Sequence, residues 1–167
     1  MNGETGKILL VAKENETWEH LSLKLAMALL LWEYHPVPEP GANHPALLGQ
    51  EFRPDLLGTD VAGNVSLWAE CGKTALHKIS KLAKRYRDAR IVFLKARPRE
   101  ARKLRQDLIE QEVSRQERLE IWSFQEGDYA VWEALLDERT DVTGEVSGRE
   151  LNLVVNNQIF LAGLGSF

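Results

Sequence analysis

The apolar–polar alternation from Asn64 to Cys71, closed by Gly72, constrains this chain more than any other run. Val65, Leu67, Ala69 and Cys71 point one way and Ser66, Trp68 and Glu70 the other, the period of a strand with two distinct faces. The run lies inside Phe52–Lys78, which reads as strand, tight turn, strand and the start of a basic helix. The turn falls at Asp60-Val61-Ala62-Gly63-Asn64. A two-residue loop, Ala62-Gly63, pairs Val61 with Asn64, and counting outward sets Asp55 opposite Glu70. A four-residue loop, Val61 to Asn64, leads to the same pairing, whereas a three-residue loop or a bulge shifts it by one. Directly opposed residues hold their Cβ atoms about 4.5–5.5 Å apart. Two carboxylates at that separation repel unless they share a proton or a cation, and a divalent metal is the economical answer.

The flanking chain supplies an α/β frame. Lys7–Lys13 is a short apolar run that reads as a strand, and Asn15 is the expected cap of a helix from Glu16 to Tyr34, stopped at His35-Pro36. The middle of that helix, Leu25–Trp32, is apolar nearly all round, which predicts burial on most sides. Glu16, His20 and Lys24 recur at i, i+4 and i+8 and are expected to face water. Glu19 shares a face with Leu23, Ala26, Met27 and Leu30, which aims it inward as a candidate ligand. Val37–Gln50, with three prolines and two glycines, reads as a loop, and its His44 and the preceding His35 as surface histidines.

After Gly72, Thr74 is the expected cap of a helix over Ala75–Arg87 that buries Leu76, Ile79, Leu82 and Ala83. Lys78 lies at the edge of that stripe, placed to lean toward the strand ends. Arg90–Lys95 is a continuous apolar run with charged ends, as an inner strand requires. Pro98 opens a helix to about Arg115, Leu119–Phe124 is a further strand, and Asp128–Glu138 a short helix. Strands follow near 143–147, 151–155 and 159–162, the last two joined by an Asn156-Asn157 hairpin turn. The expectation is one α/β domain over residues 1–167: a mixed central sheet flanked by helices, with a small C-terminal β appendage.

Charge is polarised. Lys73–Arg105 holds 13 of the 21 Lys and Arg against only Asp88 and Glu100, although the whole chain is net −4. Such a block presents either an ordinary solvated helix face or a basic patch for nucleic acid. Lys81, Lys84, Arg85 and Arg87 are the expected backbone contacts in the second case. The single cysteine, Cys71, suits a reducing compartment and reads as a small buried hydrophobe. The apolar runs are too short for an export signal or a membrane span, so a cytoplasmic protein without a membrane partner is expected, as a monomer or homodimer. Gly72-Lys73-Thr74 is no phosphate loop, because the glycine that motif needs five residues earlier is Leu67.

Several segments together resemble one family. They are Glu16-Thr17-Trp18-Glu19, Arg53-Pro54-Asp55-Leu56, Leu67-Trp68-Ala69-Glu70-Cys71-Gly72, Leu76-His77-Lys78-Ile79-Ser80-Lys81, Leu119-Glu120-Ile121-Trp122 and the run at 136–140. In order and spacing the chain is similar to the YaeQ family within the PD-(D/E)XK nuclease superfamily. The resemblance implies a restriction endonuclease-like core and Mg²⁺ (or Mn²⁺)-dependent hydrolysis of nucleic-acid phosphodiesters. It points to Asp55 and Glu70 as metal ligands, Glu19 as a third, and a catalytic lysine. Two residues after Glu70, where that lysine belongs, stands Gly72. Lys73 follows one position late, and Lys78 on the next helix is the favoured substitute. A non-catalytic module on the same fold, binding nucleic acid or protein and linked to transcription, is the alternative.

Overall fold

The computed structural model describes residues 4–167. Two parallel strands, β3 (Val65–Cys71) and β4 (Arg90–Lys95), form the centre of a six-stranded mixed sheet. Strand β5 (Glu120–Ser123) continues the parallel set beside β4. On the other side β2 (Leu56–Thr59) returns antiparallel to β3 and carries the two-residue edge strand β1 (Val37–Pro38). The far edge is β9 (Gly165–Ser166), antiparallel to β5. A second antiparallel sheet is built from β6 (Val142–Ser147), β7 (Glu150–Val155) and β8 (Gln158–Gly163). Asn156 and Asn157, both at positive φ, make the turn between β7 and β8, the backbone a two-residue hairpin of this hand requires.

Two apolar layers sandwich the large sheet. On one face α1 (Trp18–Leu30), α4 (Asp128–Leu135) and the small sheet bury Leu23, Met27, Trp132 and Phe160 against Leu67, Ala69, Val92 and Trp122. On the other face α2 (Leu76–Arg85) and α3 (Pro98–Glu110) bury Ile79, Leu82, Leu104 and Leu108 against Trp68, Ile91, Phe93 and Ile121. The mixed sheet, four helices and C-terminal β unit agree with the sequence reading of the fold class.

Several local expectations are corrected. Lys7–Lys13 forms no strand. Leu9 and Val11 stay exposed, and only Ile8 packs against the core, so the run has no buried face to hold it in a sheet. The first helix is capped by Thr17, whose Oγ1 accepts from the His20 N–H, while Asn15 takes a left-handed conformation two residues earlier. That helix ends at Leu30, and a single 3₁₀ turn covers Trp32–Tyr34. Helix α2 begins after Ala75 without a side-chain cap, so Thr74 does not cap it. Helices α3 and α4 stop at Glu110 and Leu135, short of the expected ends.

The β2–β3 hairpin differs from expectation in two places that cancel. The Asp60 N–H donates to the Asn64 carbonyl at 2.9 Å, leaving a three-residue loop that shifts the pairing by one. Thr59 then pairs Val65 but Gly58 pairs Leu67, so Ser66 is an unpaired bulge residue that shifts it back. Because of the bulge, Val65 packs on the α2–α3 side rather than with Leu67. From Gly58 to Leu56 the ladder runs Gly58–Leu67, Leu57–Trp68, Leu56–Ala69. The ladder ends there: Asp55 precedes β2 and its N–H reaches the Ala69 carbonyl, so the expected Asp55–Glu70 pair is not part of it.

Candidate active site

Asp55 and Glu70 enter from the same end of the hairpin but bond in opposite directions. The Asp55 N–H closes the ladder on the Ala69 carbonyl at 3.0 Å. Its Oδ2 accepts from the Cys71 N–H at 2.8 Å and lies 3.2 Å from His20 Nε2 on α1. Glu70 turns toward α2. Its Oε1 accepts from Trp68 Nε1 at 2.7 Å and lies 2.6 Å from Lys78 Nζ. Both acids are buried, and each engages its partners through one oxygen. Asp55 Oδ1 and Glu70 Oε2 take no hydrogen bond from the described residues.

Their environments pull the two carboxyls apart. Burial pushes the Asp55 carboxyl up, but the hydrogen bonds from His20 and the Cys71 N–H outweigh it, and it lies below the ordinary range. Burial pushes Glu70 up and the neighbouring Asp55 charge adds to this. Lys78 and the Trp68 N–H only partly counter it, so Glu70 lies above its ordinary value. Paired titratable groups with diverging acidities mark candidate chemistry.

Behind Asp55 runs a chain of charge. His20 Nδ1 lies 2.7 Å from Glu16 Oε1, Lys24 Nζ bridges Glu16 and Glu39, and Lys13 reaches Glu39 from the surface. Lys24 is completely buried, with Glu16 close to it at 3 % side-chain exposure. The expected water-facing stripe of Glu16, His20 and Lys24 is therefore the inner one. Glu19, expected inward, is 41 % exposed at its side chain and pairs with Arg97 at 3.4 Å. Past its first turn the helix is apolar on nearly every side and no residue from Leu21 to Leu30 is exposed, and Glu39 arrives on a loop to neutralise the buried lysine. Lys24 sits within Leu21–Leu31, and a lone lysine inside such a run was the available sign that a carboxylate partner would follow it into the core.

The lysines divide in the same plain way. Lys78 meets Glu70 and also donates to the Arg53 carbonyl at 3.2 Å. Lys73 is exposed and makes no ion pair with the described residues. Lys95, which the sequence reading passed over, is buried at the end of β4. The Gly72 N–H donates to Leu94 O at 3.0 Å, and Lys95 Nζ donates back to the Gly72 carbonyl. Burial holds the Lys95 ammonium below its ordinary value. Gly72 itself has φ +69°, a left-handed position that disfavours the lysine expected there.

A family model described as YaeQ protein matches residues 16–162. The chain belongs to the YaeQ protein family. A YaeQ protein crystal structure from Xanthomonas axonopodis pv. citri superposes with a TM-score of 0.69 at 18 % identity, covering 94 % of this chain and 84 % of that one. Another, from Pseudomonas syringae, gives a TM-score of 0.69 at 13 % identity over 93 % and 80 %. At such identities the likeness speaks for the fold alone. No curated protein matches the chain. The YaeQ match begins at Glu16, the first member of the buried charge chain, and spans Glu39, Asp55, Glu70, Lys78 and Lys95.

Among the described residues of this YaeQ-family chain, no group of three His, Cys, Asp or Glu side chains is arranged to hold a metal ion. Glu19, Asp55 and Glu70 thus form no three-ligand cage, because Glu19 turns away to Arg97. What remains is a pair of carboxylates with one uncommitted oxygen each. Carboxylate oxygens are what a hard cation such as magnesium takes, one or two at a time with waters retained, but here Asp55 is held toward α1 and Glu70 toward α2. Cys71 is buried with its thiol pushed well up by burial, which suits its reading as a small core residue. Of the basic residues, Lys81, Lys84 and Arg85 line one side of a cleft beside α2, and Arg87 lies exposed past the helix end. No helix among the described residues is long and apolar enough to cross a membrane.

Proposed function

We propose that this YaeQ-family chain hydrolyses nucleic-acid phosphodiesters on a restriction endonuclease-like core, with Asp55 and Glu70 as the paired acids. The observation that supports this reading is the pair of buried carboxylates at one end of the hairpin, Asp55 just before β2 and Glu70 in β3, with a lysine already on Glu70. Asp55 and Glu70 would hold Mg²⁺ or Mn²⁺, which when bound activates water and offsets charge at phosphorus.

The chain's own groups do the rest. His20 and the Cys71 N–H fix one oxygen of Asp55 and keep it ionised, so its second oxygen is presented in a set direction. Lys78 spends two of its three N–H donors on Glu70 and the Arg53 carbonyl. The third is available to a non-bridging phosphate oxygen, where a fixed positive charge favours the transition state over the ground state. Hydrolysis forms one phosphorus–oxygen bond from water and breaks the ester bond, the water proton leaving with the departing oxygen. Lys81, Lys84, Arg85 and Arg87 would bind flanking phosphates with salt-dependent, largely sequence-blind affinity.

The test is a panel of single-stranded and duplex DNA and RNA with Mg²⁺ or Mn²⁺. Wild-type protein is expected to cleave at least one substrate, and Asp55→Asn and Glu70→Gln to lose about a hundredfold or more in rate. Equal cleavage by all three proteins, or none by any, overturns the enzymatic reading. The pairing of Glu19, the third candidate ligand, with Arg97 favours the alternative, a binding module on the same fold. In that case nucleic-acid affinity persists and is indifferent to Asp55 and Glu70.

A further inference from the structure

Beside the Glu70–Lys78 pair lies a cleft of about 470 Å³ between the loop at 49–52 and α2. This is within the roughly 300–1,000 Å³ typical of small-ligand sites. Its composition is specific. Phe52 and Tyr86, both half-buried, provide aromatic walls, and Trp68 lies behind them as a buried floor. Lys81, Lys84 and Arg85, all exposed, stand along the helix side, opposed by the single acid Glu51, which pairs with Lys81 at 2.8 Å. Tyr86 packs on Trp68 with ring centroids 5.0 Å apart. The Tyr86 hydroxyl is closed off from solvent without a hydrogen-bond partner.

The cleft is wired to the candidate active site. Trp68, its floor, donates to Glu70 Oε1 at 2.7 Å. Phe52, its wall, has Lys78 Nζ 5.7 Å and Lys81 Nζ 5.5 Å from its ring centroid. A ligand seated there touches Phe52, which borders Lys78, and reaches Trp68 only through Tyr86, which packs on it.

We propose that this cleft takes one nucleotide unit of a single-stranded nucleic acid, its base against Phe52 and Tyr86 and its phosphates on Lys84 and Arg85. The inference rests on the nuclease reading and narrows its substrate to unpaired strands. Half-exposed aromatic faces beside flexible cations match an unstacked base joined to phosphate, because every base offers a π-face and the backbone supplies the charge. A duplex keeps its bases stacked inside and offers those rings nothing.

Fluorescence anisotropy at low salt in EDTA tests this without any cleavage. The probes are an oligothymidylate, an abasic strand of equal length, and a duplex. Wild type is expected to bind the oligothymidylate about tenfold or more tighter than the abasic strand, which has the charge but no base. Phe52→Ala is expected to remove most of that difference and Phe52→Tyr to retain it. Lys84→Glu, on the exposed helix face, is expected to weaken both single strands and flatten the salt dependence. Equal affinity for strands with and without bases, tighter binding of the duplex, or no binding at low salt overturns the proposal. Base-dependent binding with no cleavage under any metal condition sinks the nuclease reading alone. Cleavage that needs Asp55 and Glu70 but ignores Phe52→Ala sinks the cleft alone.

Discussion

His20 Nε2 lies 3.2 Å from Asp55 Oδ2, and this contact joins the first turns of α1 to the hairpin end where the paired acids sit. On its other nitrogen the same ring meets Glu16, so the imidazole is held between two carboxylates. The Asp55 hydrogen bond favours the imidazolium and outweighs the burial that opposes it, placing the His20 pKa above its ordinary 6.5.

An NMR titration of the imidazole protons is therefore expected to show His20 titrating above 6.5, and Asp55→Asn to move it back down. The stability sign follows. A His raised on folding contributes stability that is fully present below its unfolded pKa and is lost as pH rises through its folded value. Asp55 is depressed, so its contribution is lost as pH falls through its own folded value, below 3.8. Unfolding midpoints measured from acid to neutral pH are expected to pass through a plateau between these limits. In His20→Gln the loss of stability above pH 6.5 is expected to vanish.

Lys24 is a second stability test. It is fully buried between Glu16 and Glu39, and the two partners raise its pKa although burial lowers it. Lys24→Met removes the buried cation between the two carboxylates and leaves them only His20 and the surface Lys13, expected to cost about 3 kcal/mol in denaturant unfolding. Adding Glu16→Gln and Glu39→Gln removes the uncompensated charge and is expected to recover a large part of that loss. Additive losses across the triple variant would show that the three side chains do not act as a unit.

Gly72 gives a prediction about the missing lysine. A Cβ there meets only the His20 ring at 3.8 Å, an ordinary contact, so space is not the obstacle. The obstacle is φ +69°. Gly72→Lys is expected to lower stability by about 1 kcal/mol, and Gly72→Asn by less, since Asn tolerates that region. A Gly72→Lys protein as stable as wild type in thermal unfolding would contradict the left-handed backbone.

What the sequence made legible follows from how many residues carry each signal. Arg90–Lys95 is a strand at its expected bounds because six residues form a continuous apolar run with charged ends. The Asn156-Asn157 turn was legible because both residues tolerate positive φ. Strands β1 and β9, of two residues each, carry no period and could not be seen. The hairpin register agrees with expectation only from Gly58 to Leu56, where a three-residue loop and the Ser66 bulge offset each other, and Asp55 leaves the ladder before it meets Glu70. Periodicity places the α1 acids on faces opposite to those observed because it ranks faces by polarity, whereas a helix covered past its first turn must bury its polar stripe too. Glu39, the counter-charge that makes this possible, is brought in by tertiary structure from a loop with no pattern of its own.

The central claim is that Asp55 and Glu70 act together on one cation, and calorimetric titration with Mn²⁺ tests it most directly. The account predicts a single site in the wild-type protein, weakened about tenfold or more by either Asp55→Asn or Glu70→Gln and unchanged by Glu19→Gln, whose carboxylate is engaged with Arg97. No Mn²⁺ binding, or binding that survives the loss of both carboxylates, would contradict it.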